Sequence, residues 1–268
     1  MSASVACAPA AAALRAPVRT NALRSRARAA APRRARAVQT RAFTLTEDGQ
    51  KAYDAAQKIV PRDDLPEVLV AGGGIAGLIT ALSLQRKGMK VKVFEKVKEY
   101  KLFGGPIQLQ CNAQGALDSI APDVLERVWE KSTITGDRVN GLLDGVAGDW
   151  FYRFDTRQPC YNNGLPLTLV IARYDLLDIL RNAVGQENIM METVVESYEN
   201  VAGSDKIRAT LTDGSTYEAD VLIGADGIRS KMRAQMRNED PENPPLAYAG
   251  YAVYTAICDY SAPHREAK

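Results

Sequence analysis

The 268-residue chain has a single histidine, His264, and only four cysteines, at 7, 111, 160 and 258. No two cysteines form a CxxC pair, so the sequence argues for neither a zinc site nor a disulfide framework. With one histidine, and that near the end of the sequence, a Ser-His-Asp or Cys-His mechanism is not expected. Long hydrophobic runs are missing too. The longest, Val68 to Leu84, is interrupted by glycines and is too short to span a bilayer. What remains is ordinary for a globular protein, 46% hydrophobic and 25% charged, with enough residues for a native-sized core. Any difficult chemistry has to come from a cofactor.

Acid and lysine are both absent before Glu47, where the chain carries nine arginines. Removing those nine leaves 25 bases against 32 acids, so the body is near −7 although the whole chain is formally +2. An acidic body argues against a nucleic-acid partner. Residues 1–42, rich in Ala, Arg, Ser and Pro, read as an organelle transit peptide in preference to a basic tail that binds acidic partners. Composition leaves mitochondrion and chloroplast both open; cleavage is expected near Val38–Phe43. Residues 43–66 are expected to be a linker holding a short helix at Glu47–Ile59, closed by Pro61 and Pro66.

The segment "PEVLVAGGGIAGLITALSLQRKGMKVKVFEK" follows. Val68–Ala71 is an apolar run of buried-strand type. Gly72, Gly74 and Gly77 form G-x-G-x-x-G at the turn. Ile75, Leu78, Ile79 and Leu82 then recur at helical spacing, Gly88 suits the helix end, and Val91 and Val93 make a second strand before Glu95. In such a unit the first glycine allows the tight turn, the second lets backbone N–H groups approach a pyrophosphate, and the third lets helix and strand pack closely. The helix N-terminus attracts the phosphates. Glu95, 23 residues past Gly72, is placed to accept hydrogen bonds from both hydroxyls of an adenosine ribose and would repel a 2′-phosphate. The pattern predicts a dinucleotide site for FAD or NAD without choosing between them.

Near the C-terminus, Ile207–Thr212 and Ser215–Ala219 flank Asp213-Gly214 as a hairpin. Val221–Ile223 reads as another buried strand, ending in Gly224-Ala225-Asp226-Gly227 and a helix from about Ser230. On the residues alone, Asp226 is a helix cap or a site residue. "VLIGADGIRSKMR" resembles the Asp-Gly motif of the single-component flavoprotein monooxygenases, the para-hydroxybenzoate hydroxylase-like family, and "VIARYDLLDIL" resembles that family's Arg-x-x-Leu helix start. The runs "GGPIQLQCNAQGALDSI", "TGDRVNGLLDGVAGDWFYRFDT" and "GLPLTLVIARYDLLDIL" are similar to the family's zeaxanthin-epoxidising branch of plants and algae, from about Glu67 to Asp259.

The resemblance implies an α/β fold: a doubly wound, Rossmann-like FAD-binding domain over 67–268, with an interleaved mixed β-sheet at about 134–170 that covers substrate. It implies FAD as cofactor, reduced by NADPH or ferredoxin, with O2 as co-substrate, and epoxidation of zeaxanthin to antheraxanthin and violaxanthin. The location implied is the chloroplast, in the stroma or peripherally associated with thylakoids. The expected cofactor-binding set is Gly72, Gly73, Gly74, Ile75, Ala76, Gly77, Glu95, Lys96, Arg173, Asp226 and Gly227, with Arg229, Ser230 and Arg233 in support. The loop Gly104–Gln110 would pass near the flavin ring, through Gly105, Pro106, Gln108 and Gln110. No side chain is expected to be catalytic in its own right, and no metal is expected. Two features stay open between site and structure. Trp150, Tyr152 and Phe154 share a strand face that is either a wall for a long polyene or, preferentially, part of a core, and Asp137–Arg138 is either an ion pair or part of the site. The family's third motif, a later Gly-Asp, has no counterpart after Asp259, so the sequence reads as the N-terminal part of a longer protein. The alternatives are another flavin hydroxylase, a geranylgeranyl-reductase-like flavoprotein, or a non-catalytic FAD-binding or regulatory fragment.

Overall fold

The computed structural model describes residues 61–101 and 104–254. The expected transit peptide, the helix at Glu47–Ile59, Cys7, Cys258 and His264 lie outside them. In chain order the elements are β1 (Glu67–Ala71), α1 (Ile75–Gln85), β2 (Lys90–Phe94), β3 (Pro106–Leu109), α2 (Cys111–Ile120), α3 (Pro122–Lys131), β4 (Thr133–Ile134), β5 (Asn140–Leu143), β6 (Trp150–Phe154) and α4 (Arg157–Asn163). They continue with β7 (Leu169–Ala172), α5 (Arg173–Val184), a 3-10 turn at Gln186–Asn188, β8 (Ile189–Met190), β9 (Val195–Asn200), β10 (Ile207–Leu211), β11 (Thr216–Ala219), β12 (Val221–Gly224) and α6 (Lys231–Arg237).

The four-stranded parallel sheet, ordered β12-β1-β2-β8, is the frame. Strand alternation splits β1 between two cores. Val68 and Val70, with Val91 and Val93 of β2, face a helical layer in which Leu78 and Leu82 of α1, Leu176, Leu177 and Leu180 of α5, and Val124 and Val128 of α3 are buried. Leu69, Ala71 and Phe94 face the other way, onto Val195, Ala209, Leu211 and Ala219 of a three-stranded antiparallel sheet ordered β11-β10-β9, and onto Met232 of α6. The α/β class and the parallel, Rossmann-like sheet are thus as expected, and the second face is covered by an antiparallel sheet where a doubly wound arrangement has helices. The Asp213-Gly214 turn, with Gly214 at φ 84°, folds β10 and β11 into a hairpin whose apolar positions all fall on one side, and long-range contacts lay that side on the sheet.

Around 134–170 every described pairing is antiparallel: β3-β7-β4 in one sheet and the β5–β6 hairpin in another. The hairpin corrects one expectation. Tyr152 and Phe154 stack on each other at 5.8 Å, yet are 52% and 47% exposed, so this aromatic stripe is not a core. Among the described residues strand β6 pairs only with β5. Asp137 and Arg138 form a loose, half-exposed pair at 3.8 Å.

Candidate functional site

Three strands end together at the carboxyl edge of the parallel sheet. Ala71 of β1 stands opposite both Phe94 of β2 and Gly224 of β12, so the residues that follow, Gly72, Glu95 and Ala225, enter one cleft of about 470 Å³. Gly72 (φ 110°) makes the turn, and a Cβ there would strike the Ala225 carbonyl. Gly77 lies so close under the turn that a Cβ would run into the Gly72 carbonyl oxygen. Gly74 differs from both. It caps α1 in ordinary extended backbone (φ −71°, ψ −179°), lines the cleft, and has open space where a Cβ would be. No side chain caps α1 and no acid stands in its first turn, so its leading N–H groups are left for an anion.

Glu95 is 7% exposed, and its carboxylate accepts hydrogen bonds from the Gly73 N–H (2.7 Å) and the Val97 N–H (3.1 Å). Tyr100 donates its hydroxyl proton to the Gly73 carbonyl at 2.7 Å. Burial, with the Glu95 charge adding to it, pushes the Tyr100 phenol up to about 12, against the opposing pull of Arg181 and Arg173. Asp226 works as a cap. It accepts from the Lys231 N–H (2.7 Å), the Met232 N–H (3.2 Å) and the Ser230 hydroxyl (2.5 Å), while Ser230 itself caps Arg233. Asp226 thus caps α6 and also lines the cleft. Arg173, at the first turn of α5, reaches the cleft and forms no ion pair among the described residues.

Of the expected set, the cleft wall contains Gly72, Gly74, Glu95, Lys96, Arg173, Asp226, Gly227 and Arg229. Gly73 and Gly77 are buried behind it, and Ile75 and Ala76 lie in the first turn of α1 without forming part of the wall. Ser230 and Arg233 support α6, with Arg233 paired to Glu239 at 3.0 Å. Gly105, Pro106, Gln108 and Gln110 are outside the wall. Residues 106–109 form a strand and not a loop, because Ile107 pairs with Ile171 and Gln108 with Val170, and this pairing commits their backbone to β7. Tyr100, Lys101 and the Thr193–Val195 segment line the cleft without having been anticipated, since no spacing rule points to them. Five basic and three acidic side chains surround the space. With backbone donors at one wall and a buried carboxylate at another, the cleft suits an anionic ligand that also carries vicinal hydroxyls.

A family profile described as "FAD binding domain" matches residues 66–249. The chloroplastic zeaxanthin epoxidase of Spinacia oleracea is 45% identical over 205 residues, which are 74% of this chain and 30% of that protein. The chloroplastic zeaxanthin epoxidase of Nicotiana plumbaginifolia is 44% identical over 207 residues, 76% of this chain and 30% of that protein. Among solved structures, Klebsiella pneumoniae HpxO complexed with FAD and uric acid is similar at a TM-score of 0.53 and 25% identity, covering 63% of this chain and 41% of that one. The chain spans about 30% of the length of these two curated relatives.

Proposed function

The chain belongs to the FAD-binding domain family, and from that premise we propose that it forms the adenosine-diphosphate end of the FAD site in a flavin-dependent monooxygenase that epoxidises zeaxanthin to antheraxanthin and violaxanthin. The observation that carries the reading is the cleft in which the open N-terminus of α1, Glu95, Arg173 and Asp226 converge. The residues fit the group. Open space in front of Gly74 is what a pyrophosphate needs, and the unmatched N–H groups of α1 are its donors. Glu95 would turn its carboxylate to the ribose hydroxyls, Arg173 would hold phosphate or ribose oxygens, and Gly227, at φ 89°, would let the chain pass close to the ligand.

When bound, FAD supplies the redox and oxygen-transfer chemistry, with NADPH or ferredoxin as reductant and O2 as co-substrate. The protein's share is to anchor the cofactor, orient it and keep water from it. The carotenoid substrate rests on the two chloroplastic epoxidases to which the chain is similar. So does the chloroplast location, with the arginine-rich residues 1–42 as its import signal. Residues 43–66 remain a proposed linker and 67–268 the proposed flavin-binding region. Among the described residues no helix is long and apolar enough to cross a membrane.

A specific observation also keeps the binding-module reading in view. Gly105, Pro106, Gln108 and Gln110, the candidates for the isoalloxazine ring, stand outside the cleft. Titration of the full chain with FAD, followed by flavin fluorescence, tests the binding claim. Saturable quenching reversed by ADP is expected, and FAD that ADP does not displace would remove the proposed site. Zeaxanthin consumption with NADPH or reduced ferredoxin then separates enzyme from binding module.

A further inference from the structure

Tyr100 reaches the glycine-rich turn from the loop that follows β2. Its hydroxyl donates to the Gly73 carbonyl at 2.7 Å, while the N–H of the same residue is held by Glu95 at 2.7 Å. Gly73 is thus gripped on both sides. The ring is fixed in turn: the Arg181 guanidinium lies 5.8 Å from its centroid, on the face of α5 that also carries Arg173 two turns earlier.

We propose that Tyr100 is a positioning residue that locks the Gly73–Gly74 peptide so that the Gly74 N–H faces the pyrophosphate of the bound dinucleotide; this rests on the FAD reading above. A trans peptide is planar, with its C=O and N–H directed oppositely, so fixing the Gly73 oxygen fixes the Gly74 hydrogen. A Gly-Gly step needs such a lock more than any other, because both residues tolerate either orientation of the plane between them. Rotated by half a turn, the same peptide would present a carbonyl oxygen to the phosphates and repel them. Among the described residues the Gly74 N–H has no protein acceptor, which leaves it for the ligand. The phenol keeps its proton through the physiological range, so the lock stays closed.

The test is Tyr100→Phe in the full chain, with FAD, ADP and adenosine as three separate probes. Removing only the oxygen should weaken FAD and ADP by about fivefold to tenfold, the loss of one neutral hydrogen bond. Adenosine has no phosphate and should bind within about twofold of wild type. Circular dichroism should match wild type. If the variant misfolds, Arg181→Met removes the guanidinium that lies 5.8 Å from the Tyr100 ring centroid, and a smaller loss for ADP with adenosine unchanged is expected. Equal ADP affinity in Tyr100→Phe and wild type overturns the lock. Equal losses for ADP and adenosine also overturn it, because they would mean general loosening of the cleft. Failure of the wild-type chain to bind FAD or ADP at all sinks the FAD reading, and this inference with it.

Discussion

Replacing Gly74 by valine should weaken cofactor binding about a hundredfold or more and leave the fold almost untouched, whereas Gly77→Ala, three residues away, should chiefly cost stability. Gly74 has backbone angles that any residue adopts, and no heavy atom lies within 4 Å of its ideal Cβ. As an N-cap it contributes no side-chain hydrogen bond, so an apolar replacement costs less than about 1 kcal/mol, partly offset by the reduced freedom of the unfolded chain. The added methyl groups would stand in the cleft before the first turn of α1. Hydrogen bonds to a charged group contribute about 1.5–3 kcal/mol each, so losing two of them weakens FAD by about a hundredfold or more.

At Gly77 the added carbon meets the Gly72 carbonyl oxygen, which is backbone and cannot step aside. Overpacking of that kind costs about 1–3 kcal/mol, and a domain of this size loses about 2–4 °C of melting temperature per kcal/mol. Thermal unfolding by circular dichroism and FAD titration by fluorescence, run on both variants, read the two effects separately. A Gly74→Val protein that binds FAD within twofold of wild type would refute the reasoning. So would a loss of melting temperature as large as that of Gly77→Ala.

Glu95→Ala should lower both stability and FAD affinity, because it leaves the buried N–H of Gly73 and the N–H of Val97 without their acceptor; a cost of about 1–3 kcal/mol is expected, and unchanged melting and affinity would contradict it. Burial and the neighbouring Cys111 push the Cys160 thiol up, so at pH 8 less of it is thiolate, and iodoacetamide should label Cys111 before Cys160. Mass spectrometry of a labelling time course reads the order, and faster labelling of Cys160 would count against it. Residues 1–42 fused to a fluorescent protein should enter the chloroplast, and mitochondrial or nuclear accumulation would remove that part of the proposal.

The dinucleotide unit was legible because its signals are local. Strand, turn, helix and strand follow within 28 residues, and each side chain's period reports which way it faces. The Asp213-Gly214 hairpin and the strand at Val221 were legible for the same reason. What the hairpin packs against was not, because covering the second face of the sheet depends on contacts between β9–β11 and β1–β2 more than 100 residues apart. The aromatic stripe of β6 failed differently. Alternation says that Trp150, Tyr152 and Phe154 share a face, but only the tertiary fold says whether anything lies on it. Tyr100 carried no signal at all, since a loop residue's reach is fixed by the path of the chain around it.

The cleft is finally a matter of register. Two main-chain bonds at the sheet edge, Gly72 N–H to the Phe94 carbonyl at 2.8 Å and Ala225 N–H to the Ala71 carbonyl at 2.7 Å, set the three crossing segments level with one another. A slip of one residue in β2 would turn Val91 and Val93 toward the antiparallel sheet and expose Phe94 to the helical layer. The same slip would carry Glu95 away from the Gly73 N–H and open the turn that Tyr100 closes from the other side. Burying valines against α1 and Phe94 against β10–β11 therefore does more than stabilise the sheet. It selects the one alignment in which a carboxylate, a helix N-terminus and a capping aspartate, from three distant parts of the sequence, face the same space.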